Sequence, residues 1–386
     1  MGLYDGTNFF ARFKSLAILT GVPLHENISV VEGICLWLLP CLVYIYIGLN
    51  FYRKWSLTDD IDDCMYSMGI ATAAPFITIM RLQRRRLVNL IALLEDDRTV
   101  DMRFQTELRL IANTLAGLAF PVVMFLDSIG FLAWYLTENE KSLPFGTMPS
   151  WALEHSYGMC LAFQIIVYFF LGIDDVMLVA MKWCVLLHLR IHFKYLNITI
   201  KEATTIQKEE VFDVNESELY SSNTAARFPL DEYVRGVISR YNRLTLIANE
   251  ADRAFNKGAL SHFINISILV CFILFRMSNI PIFTMEFLKL FWYLLTMLSI
   301  IFLDSYLCSL VVEESEALVY SCYETDFVDR DRKFQKALVL LMTRAQKPVI
   351  FTIGNFAPLS METVIIVLKA SVSYFMLLRN VRGETS

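Results

Sequence analysis

Five charged residues lie inside long apolar segments of this 386-residue chain, where a charge is costly and usually serves a function. They are Asp127, Asp174, Asp175, Lys182 and Asp304. One interpretation is that some of them line a water-filled vestibule for cations. The other is that they bond to polar neighbours within a bundle of helices. The sequence leaves both interpretations open for each residue.

A histidine pair provides the other candidate chemistry. His188 and His192 are four residues apart, so on a helix they share one face and could bind a metal. Membrane di-iron enzymes need many more than the five histidines present, and we interpret the pair as part of an amphipathic helix leaving the membrane. No nucleophile motif, P-loop or zinc-protease motif occurs. We therefore predict no enzyme activity, no metal and no cofactor.

The composition is that of a membrane protein with several spans. Hydrophobic residues make up 56% of the chain, charged residues only 19%, and the mean hydropathy is +0.48, whereas soluble domains have about 25% charged residues. Each apolar run supplies the roughly 20 residues that cross a bilayer. We predict an all-α fold in one domain, residues 1–386, with a cytoplasmic helix at 332–346. The seven predicted spans are 33–51, 64–81, 110–136, 157–187, 260–284, 286–312 and 359–378.

The positive charges predict an orientation. Lys and Arg are concentrated in the N-terminus and in the second, fourth and sixth loops, and are sparse in the others. By the positive-inside rule the N-terminus is cytoplasmic, and seven spans then leave the C-terminus outside. Residues 187–194 and 231–258 keep helical apolar spacing beyond the fourth and fifth spans, which predicts that helices 4 to 6 extend into a cytoplasmic anchor.

Two local features add to this picture. Phe9, Phe10 and Phe13 within residues 4–24 predict a short amphipathic helix on the membrane surface, with a partly ordered tail as the alternative. Among eight cysteines without a CxxC pair, Cys64 and Cys160 fall near segment ends on the same predicted side, which would allow one disulfide.

Aromatic and apolar residues in the outer halves of four spans could form a ligand pocket. Mostly apolar walls with few polar groups suit a small volatile ligand, although ordinary helix packing explains any single position as well. The candidate residues are Tyr66, Met68, Gly69 and Thr72; Asp127, Phe131, Trp134 and Tyr135; Phe163, Ile166 and Val167; and Trp292, Tyr293 and Thr296.

The segment from Lys336 to Arg379 resembles the C-terminal signature of insect odorant receptors. It combines a Gln346-Lys347-Pro348 break, a Gly354-Asn355 turn, and a membrane-length helix ending in Ser371-Val372-Ser373-Tyr374-Phe375-Met376-Leu377-Leu378. Residues 233–275 and 320–327 resemble the family as well, with Tyr241 where the family often has His. The related gustatory receptors usually close with TYxxxxxQF, which Ser373-Tyr374-Phe375-Met376 does not fit.

The resemblance implies a tuning subunit that joins the odorant co-receptor in a heterotetrameric, non-selective cation channel. The subunit would lie in the plasma membrane of the sensory neuron dendrite, in contact with membrane lipid. It would bind a small volatile odorant and no nucleic acid. The last helix would line the pore, with Leu377 and Val381 as the gate and Asn380 and Tyr374 nearby. A G-protein-coupled receptor is the alternative, but no Asp-Arg-Tyr ends the third span and the charge bias points the wrong way.

Overall fold

The computed structural model describes residues 10–19, 22–25, 28–56, 71, 74–95, 106–108, 110–111, 113–114, 117, 150–212, 227–282, 284–325, 327 and 332–385. This part of the chain is mostly helical, as predicted. Its helices are α1 (Ala11–Leu19), α2 (Val30–Ser56), α3 (residues 74–82), α4 (Arg84–Glu95), α5 (Ser150–Phe212), α6 (Arg227–Met277), α7 (Met285–Tyr323), α8 (Arg332–Ala345) and α9 (Met361–Thr385).

A short antiparallel hairpin, residues 352–358, interrupts the helices. Its strands β1 (Thr352–Ile353) and β2 (Ala357–Pro358) pair Thr352 with Pro358. The turn uses Gly354 and Asn355, both at positive φ (58° and 63°), a conformation that Gly and Asn adopt most readily. The sequence identified this turn but not the strand pairing around it.

Among the described residues, four helical segments are long and apolar enough to cross a membrane. They are Val30–Leu49, His155–Lys201, Arg235–Met277 and Leu290–Tyr323. The third predicted span lies mostly outside the described residues, and the second lies half outside them. The seventh predicted span, on α9, is not among these four segments. At 63, 51 and 39 residues, α5, α6 and α7 far exceed the roughly 20 residues that a bilayer requires, although α5 is interrupted by a kink at Ser156, whose backbone is not helical. They therefore continue well beyond any membrane-spanning part.

Two helix ends differ from the ends of the predicted spans. The fifth was predicted to reach residue 284, but α6 ends at Met277, because the next residues form turns around Pro281, which has no N–H for a helix ladder. Thr284 then caps α7 by accepting a hydrogen bond from the Phe287 N–H at 3.2 Å. The seventh span was predicted to end at residue 378, and α9 continues to Thr385.

The main core lies where α5, α6 and α7 pack together, with α8, the hairpin and the start of α9 closing one end. The predicted N-terminal helix is present as α1. Its apolar face, however, packs inside the chain rather than on a membrane: Phe10, Phe13 and Ala17 are buried, and the Phe10 ring lies 5.4 Å from the ring of His188 on α5. Lys14 binds Glu95 of α4 at 2.7 Å on its outer side.

Candidate functional site

The candidate ligand residues that the structure describes lie on two helices. On α5, Val167 is buried and Phe163 is half-buried, while Ile166 is 51% exposed. On α7, Trp292 is 53% exposed, Tyr293 is half-buried, and Thr296 donates to the Trp292 carbonyl at 3.0 Å. Some of the predicted ligand residues therefore face the interior of the protein, and others face outward. The remaining candidates, Tyr66, Met68, Gly69, Thr72, Asp127, Phe131, Trp134 and Tyr135, lie outside the described residues.

A polar pair that the sequence analysis missed adjoins this inward face. Gln164 donates to the Tyr46 hydroxyl at 2.9 Å, and both side chains are buried between α5 and α2. The Tyr46 ring also lies 6.2 Å from the ring of Phe163. The only signal in the sequence was a glutamine within an apolar run, since the tyrosine is one aromatic residue among many.

Deeper in the bundle, the intramembrane charges form ion pairs between helices. Asp174 binds Arg81 at 2.8 Å with both side chains fully buried. Asp304 binds Lys182 and accepts a hydrogen bond from the Trp183 indole at 2.5 Å. For Asp174 and Asp304 the structure thus supports bonding within the bundle over an open cation vestibule. Asp127 lies outside the described residues.

The two histidines that the sequence places on one helix face are packed in the protein interior. His188 and His192 are both buried on α5, with ring centroids 6.1 Å apart. Within the described part of the chain, no three His, Cys, Asp or Glu side chains come together as a metal site. Of the two cysteines that the sequence would allow to form a disulfide, Cys160 is a free thiol, half-buried on α5, and Cys64 lies outside the described residues.

The hairpin is bonded to α6 by a set of polar contacts. The Asp252 carboxylate accepts the Thr352 N–H at 2.6 Å and the Thr352 hydroxyl at 3.0 Å. Asn256 donates its side-chain amide to Asn355 at 2.9 Å, and its carbonyl accepts the Gly354 N–H at 3.0 Å. Because α9 begins three residues after the hairpin, these contacts fix the base of the last helix.

The last helix packs along one side only. Val364 and Ser371 are buried, and Val367, Leu368 and Phe375 on the same side are half-buried. The opposite side is exposed and carries a line of polar side chains. At about 100° per residue these positions fall within roughly 40° of arc. We call them the polar stripe: Glu362, Lys369, Ser373 and Asn380.

The predicted gate residues lie beside the polar stripe on the outer half of α9. Tyr374 is 64% exposed, Leu377 is 59% exposed and Asn380 is exposed, while Val381 is in the helix. Polar residues in membrane helices usually face a bundle interior or a water-filled cavity. A helix with this exposed stripe and exposed apolar neighbours therefore needs further helices around it.

Apolar helices of spanning length, ion pairs between them and an incompletely packed last helix define a multi-pass membrane protein. A family model described as "7tm Odorant receptor" matches residues 64–372. The chain therefore belongs to the 7tm odorant receptor family. The resemblance seen in the sequence is confirmed, and membership of a receptor family agrees with the prediction that the chain is not an enzyme.

Individual relatives are distant. Odorant receptor 10 of Aedes albopictus is 28% identical over 151 residues, covering 39% of this chain and 40% of that one. Odorant receptor 67c of Drosophila melanogaster is 21% identical over 257 residues, covering 66% and 56%. The matched stretches thus span about two fifths to just over half of these relatives.

Solved structures extend the likeness over the whole fold. The insect olfactory receptor OR5 of Machilis hrabei in complex with eugenol has a TM-score of 0.75 at 14% identity, covering 98% of this chain and 100% of that one. A second structure, of insect olfactory receptor OR5 from Machilis hrabei, gives a TM-score of 0.74 at 14% identity, with 97% of this chain and 98% of that one covered. At this identity the likeness shows the fold alone.

Proposed function

We propose that this chain is the odour-binding subunit of a cation channel, assembled with an odorant co-receptor into a heterotetramer. The observation that carries the proposal is the polar stripe of α9. Four such helices around one axis would turn Glu362, Lys369, Ser373 and Asn380 toward a central water-filled path. Leu377 and Val381 would then form an apolar constriction near its outer end, which can close a pore by dewetting.

The odorant pocket is proposed among the outer halves of the second, third, fourth and sixth spans. Val167, Phe163 and the Tyr46–Gln164 pair give it an apolar wall with one polar group, the composition expected for a small-molecule site. The likeness to a receptor solved with eugenol supports an organic ligand of similar size. Binding would open the channel only if the pocket holds the odorant more tightly in the open state.

The proposed orientation has the N-terminus in the cytoplasm and the C-terminus outside, in the plasma membrane of the sensory dendrite. The bias of Lys and Arg supports it, and so do the long helices α5, α6 and α7, which would meet α8 and the hairpin on the cytoplasmic side. Epitope tags on each terminus, stained in intact and permeabilised cells, test this orientation. An N-terminal tag accessible in intact cells would contradict it and favour a G-protein-coupled receptor.

Currents test the channel itself. The chain and a co-receptor are co-expressed in a heterologous cell, and an odorant panel is applied in whole-cell recording with GDPβS in the pipette. We expect odour-evoked cation currents that need both subunits and survive GDPβS. Currents abolished by GDPβS would refute direct gating and support coupling through a G protein.

Two neighbouring residues on α5 provide a matched test of the pocket. Val167 is 2% exposed and Ile166 is 51% exposed, so a phenylalanine would have different surroundings at the two positions. Val167→Phe should shift the half-maximal odorant concentration at least tenfold, because the added ring takes ligand volume. Ile166→Phe should leave it within about twofold. Equal effects of the two substitutions on concentration–response curves would argue against a pocket on the inward side of α5.

A further inference from the structure

Four cations lie together where α4 and α6 meet. Arg85 and Arg86 are exposed on α4, and Arg253 and Lys257 are exposed on α6. We call this group the basic edge. It lies just after the predicted second span (64–81) and just before the predicted fifth span (260–284). In the proposed orientation, on which this inference rests, the basic edge meets the cytoplasmic surface of the membrane.

Close contacts hold the two halves of the basic edge together. The Arg86 guanidinium donates to the Arg253 carbonyl at 3.1 Å. The Gln83 side-chain amide, turned so that its nitrogen faces α6, donates to the same carbonyl at 3.0 Å. Gly258 lets α3, which directly precedes α4, approach α6, since a Cβ there would lie 2.6 Å from the Met80 sulfur. These contacts fix how closely α3 and α4 approach α6 at the basic edge.

Only one of these four cations has a salt bridge with a carboxylate in the described part of the chain. Glu250 binds Arg253 at 2.7 Å. Within the described ranges, no carboxylate forms a salt bridge with Arg85, Arg86 or Lys257. The neighbouring Arg84 makes its contacts within the chain, because its guanidinium donates hydrogen bonds to the carbonyl of Pro23 at 2.5 Å and to that of His25. Arg85, Arg86 and Lys257 are thus exposed to solvent without a carboxylate partner in the described part of the chain.

Exposed apolar side chains lie on the membrane side of the cations. Leu82, 66% exposed, precedes Arg85 by one turn, and Ile264, 52% exposed, follows Lys257 by about two turns. The surface is therefore apolar toward the predicted spans and cationic toward the cytoplasm. An anionic lipid has its acyl chains on the membrane side and its charged headgroup on the cytoplasmic side, so it matches this surface better than a soluble polyanion does.

We infer that the basic edge binds a phosphoinositide headgroup of the cytoplasmic leaflet. Three cations on two packed helices, without a carboxylate partner in the described chain, match a headgroup with several phosphates, and guanidinium groups bind phosphate through paired hydrogen bonds. A singly charged headgroup would engage only part of the set. Leu82 and Ile264 would contact the first acyl carbons of the bound lipid.

The test measures binding of dioctanoyl phosphatidylinositol 4,5-bisphosphate to the purified receptor complex in neutral detergent. The variant is Arg85→Gln/Arg86→Gln/Lys257→Gln. The control removes the same number of exposed cations from α8, as Arg332→Gln/Lys333→Gln/Lys336→Gln. We expect on the order of 100-fold weaker binding in the variant, since each cation near an anionic lipid surface contributes about a factor of five, and little change in the control.

Three further arms make the outcome decisive. Arg85→Lys/Arg86→Lys should retain most of the binding, which separates charge from folding. Dioctanoyl phosphatidylserine and soluble inositol trisphosphate should both bind at least tenfold more weakly than the phosphoinositide. Equal losses in the variant and the α8 control, or equal binding of either competitor, would overturn the inference. Because this assay needs no odorant and no current, failure of the proposed channel function would be seen separately.

Discussion

The hairpin turn before the last helix offers the sharpest test of the structure. Gly354 has φ +58°, and a Cβ added there would lie 2.6 Å from Leu260 Cδ2 and 3.0 Å from Leu260 Cβ. Gly354→Ala therefore adds one methyl group where both the backbone and α6 oppose it. We expect the substitution to destabilise the contact between the hairpin and α6, which fixes the base of α9.

The expected loss of stability is the sum of two free-energy costs. Holding alanine in the left-handed region costs roughly 1–2 kcal/mol. Overpacking against Leu260 adds about 1–3 kcal/mol, because the contact includes the rigid Cβ as well as the flexible end of the side chain. The sum is about 2–5 kcal/mol. At about 2 °C per kcal/mol for a large domain, the melting temperature should fall by roughly 4–10 °C.

The assay is thermal unfolding of the purified receptor complex, followed by the loss of the monodisperse peak in fluorescence-detected gel filtration. Gly236→Ala is the matched control, since Gly236 lies on α6 and a Cβ there meets nothing within 4 Å. That substitution should leave the melting temperature unchanged or slightly higher, because alanine is favoured over glycine within a helix by about 0.5–1 kcal/mol.

A double variant separates the two terms. Leu260→Ala removes the atoms nearest to the added methyl group, so Gly354→Ala/Leu260→Ala should lose less stability than the two single variants combined. The cost of holding alanine at positive φ remains in the double variant, so only part of the lost stability should be recovered. If Gly354→Ala melts within 1 °C of the wild type, or if the two single losses simply add, the described hairpin geometry is refuted.

Three further predictions concern the membrane part. Lys182→Met should cost about 3–5 kcal/mol by leaving the buried Asp304 carboxylate without its cation, and adding Asp304→Leu should restore most of the melting temperature; a double variant as unstable as the single one would contradict this pairing. Lys369→Gln should raise single-channel cation conductance by removing a positive charge from the proposed pore, and unchanged conductance would exclude Lys369 from the ion path. Leu377→Ala should raise the leak current without odorant, with Phe375→Ala on the packed side of α9 as the control, and equal leak in both would count against the gate assignment.

The sequence predicted best those features that depend on neighbouring residues. The Gly354-Asn355 turn could be identified because few other residues adopt positive φ readily. The continuation of the fourth and fifth helices followed from apolar spacing alone. In both cases the relevant interactions lie within a few residues along the chain, so a local pattern contains most of the information.

Contacts between distant segments could not be predicted in this way. The sequence contained Lys182 and Asp304 as separate intramembrane charges, but nothing in the local pattern indicated that they would pair across 122 positions. Arg81 was assigned to a loop at the edge of the second span, whereas it is buried against Asp174. Neighbouring pocket candidates were equivalent in composition, and only packing distinguishes the buried Val167 from the exposed Ile166.

The two ends of α9 differ in a way that bears on gating. Its base is held to α6 through Asp252–Thr352 and Asn256–Asn355, and its first turns are packed at Val364. Beyond Ser371 the chain provides little cover, so the positions of the outer turns depend on neighbouring subunits and lipid. A ligand bound among the outer halves of the spans would therefore act most easily on these outer turns. An opening motion should pivot about the hairpin, with the displacement growing toward Leu377.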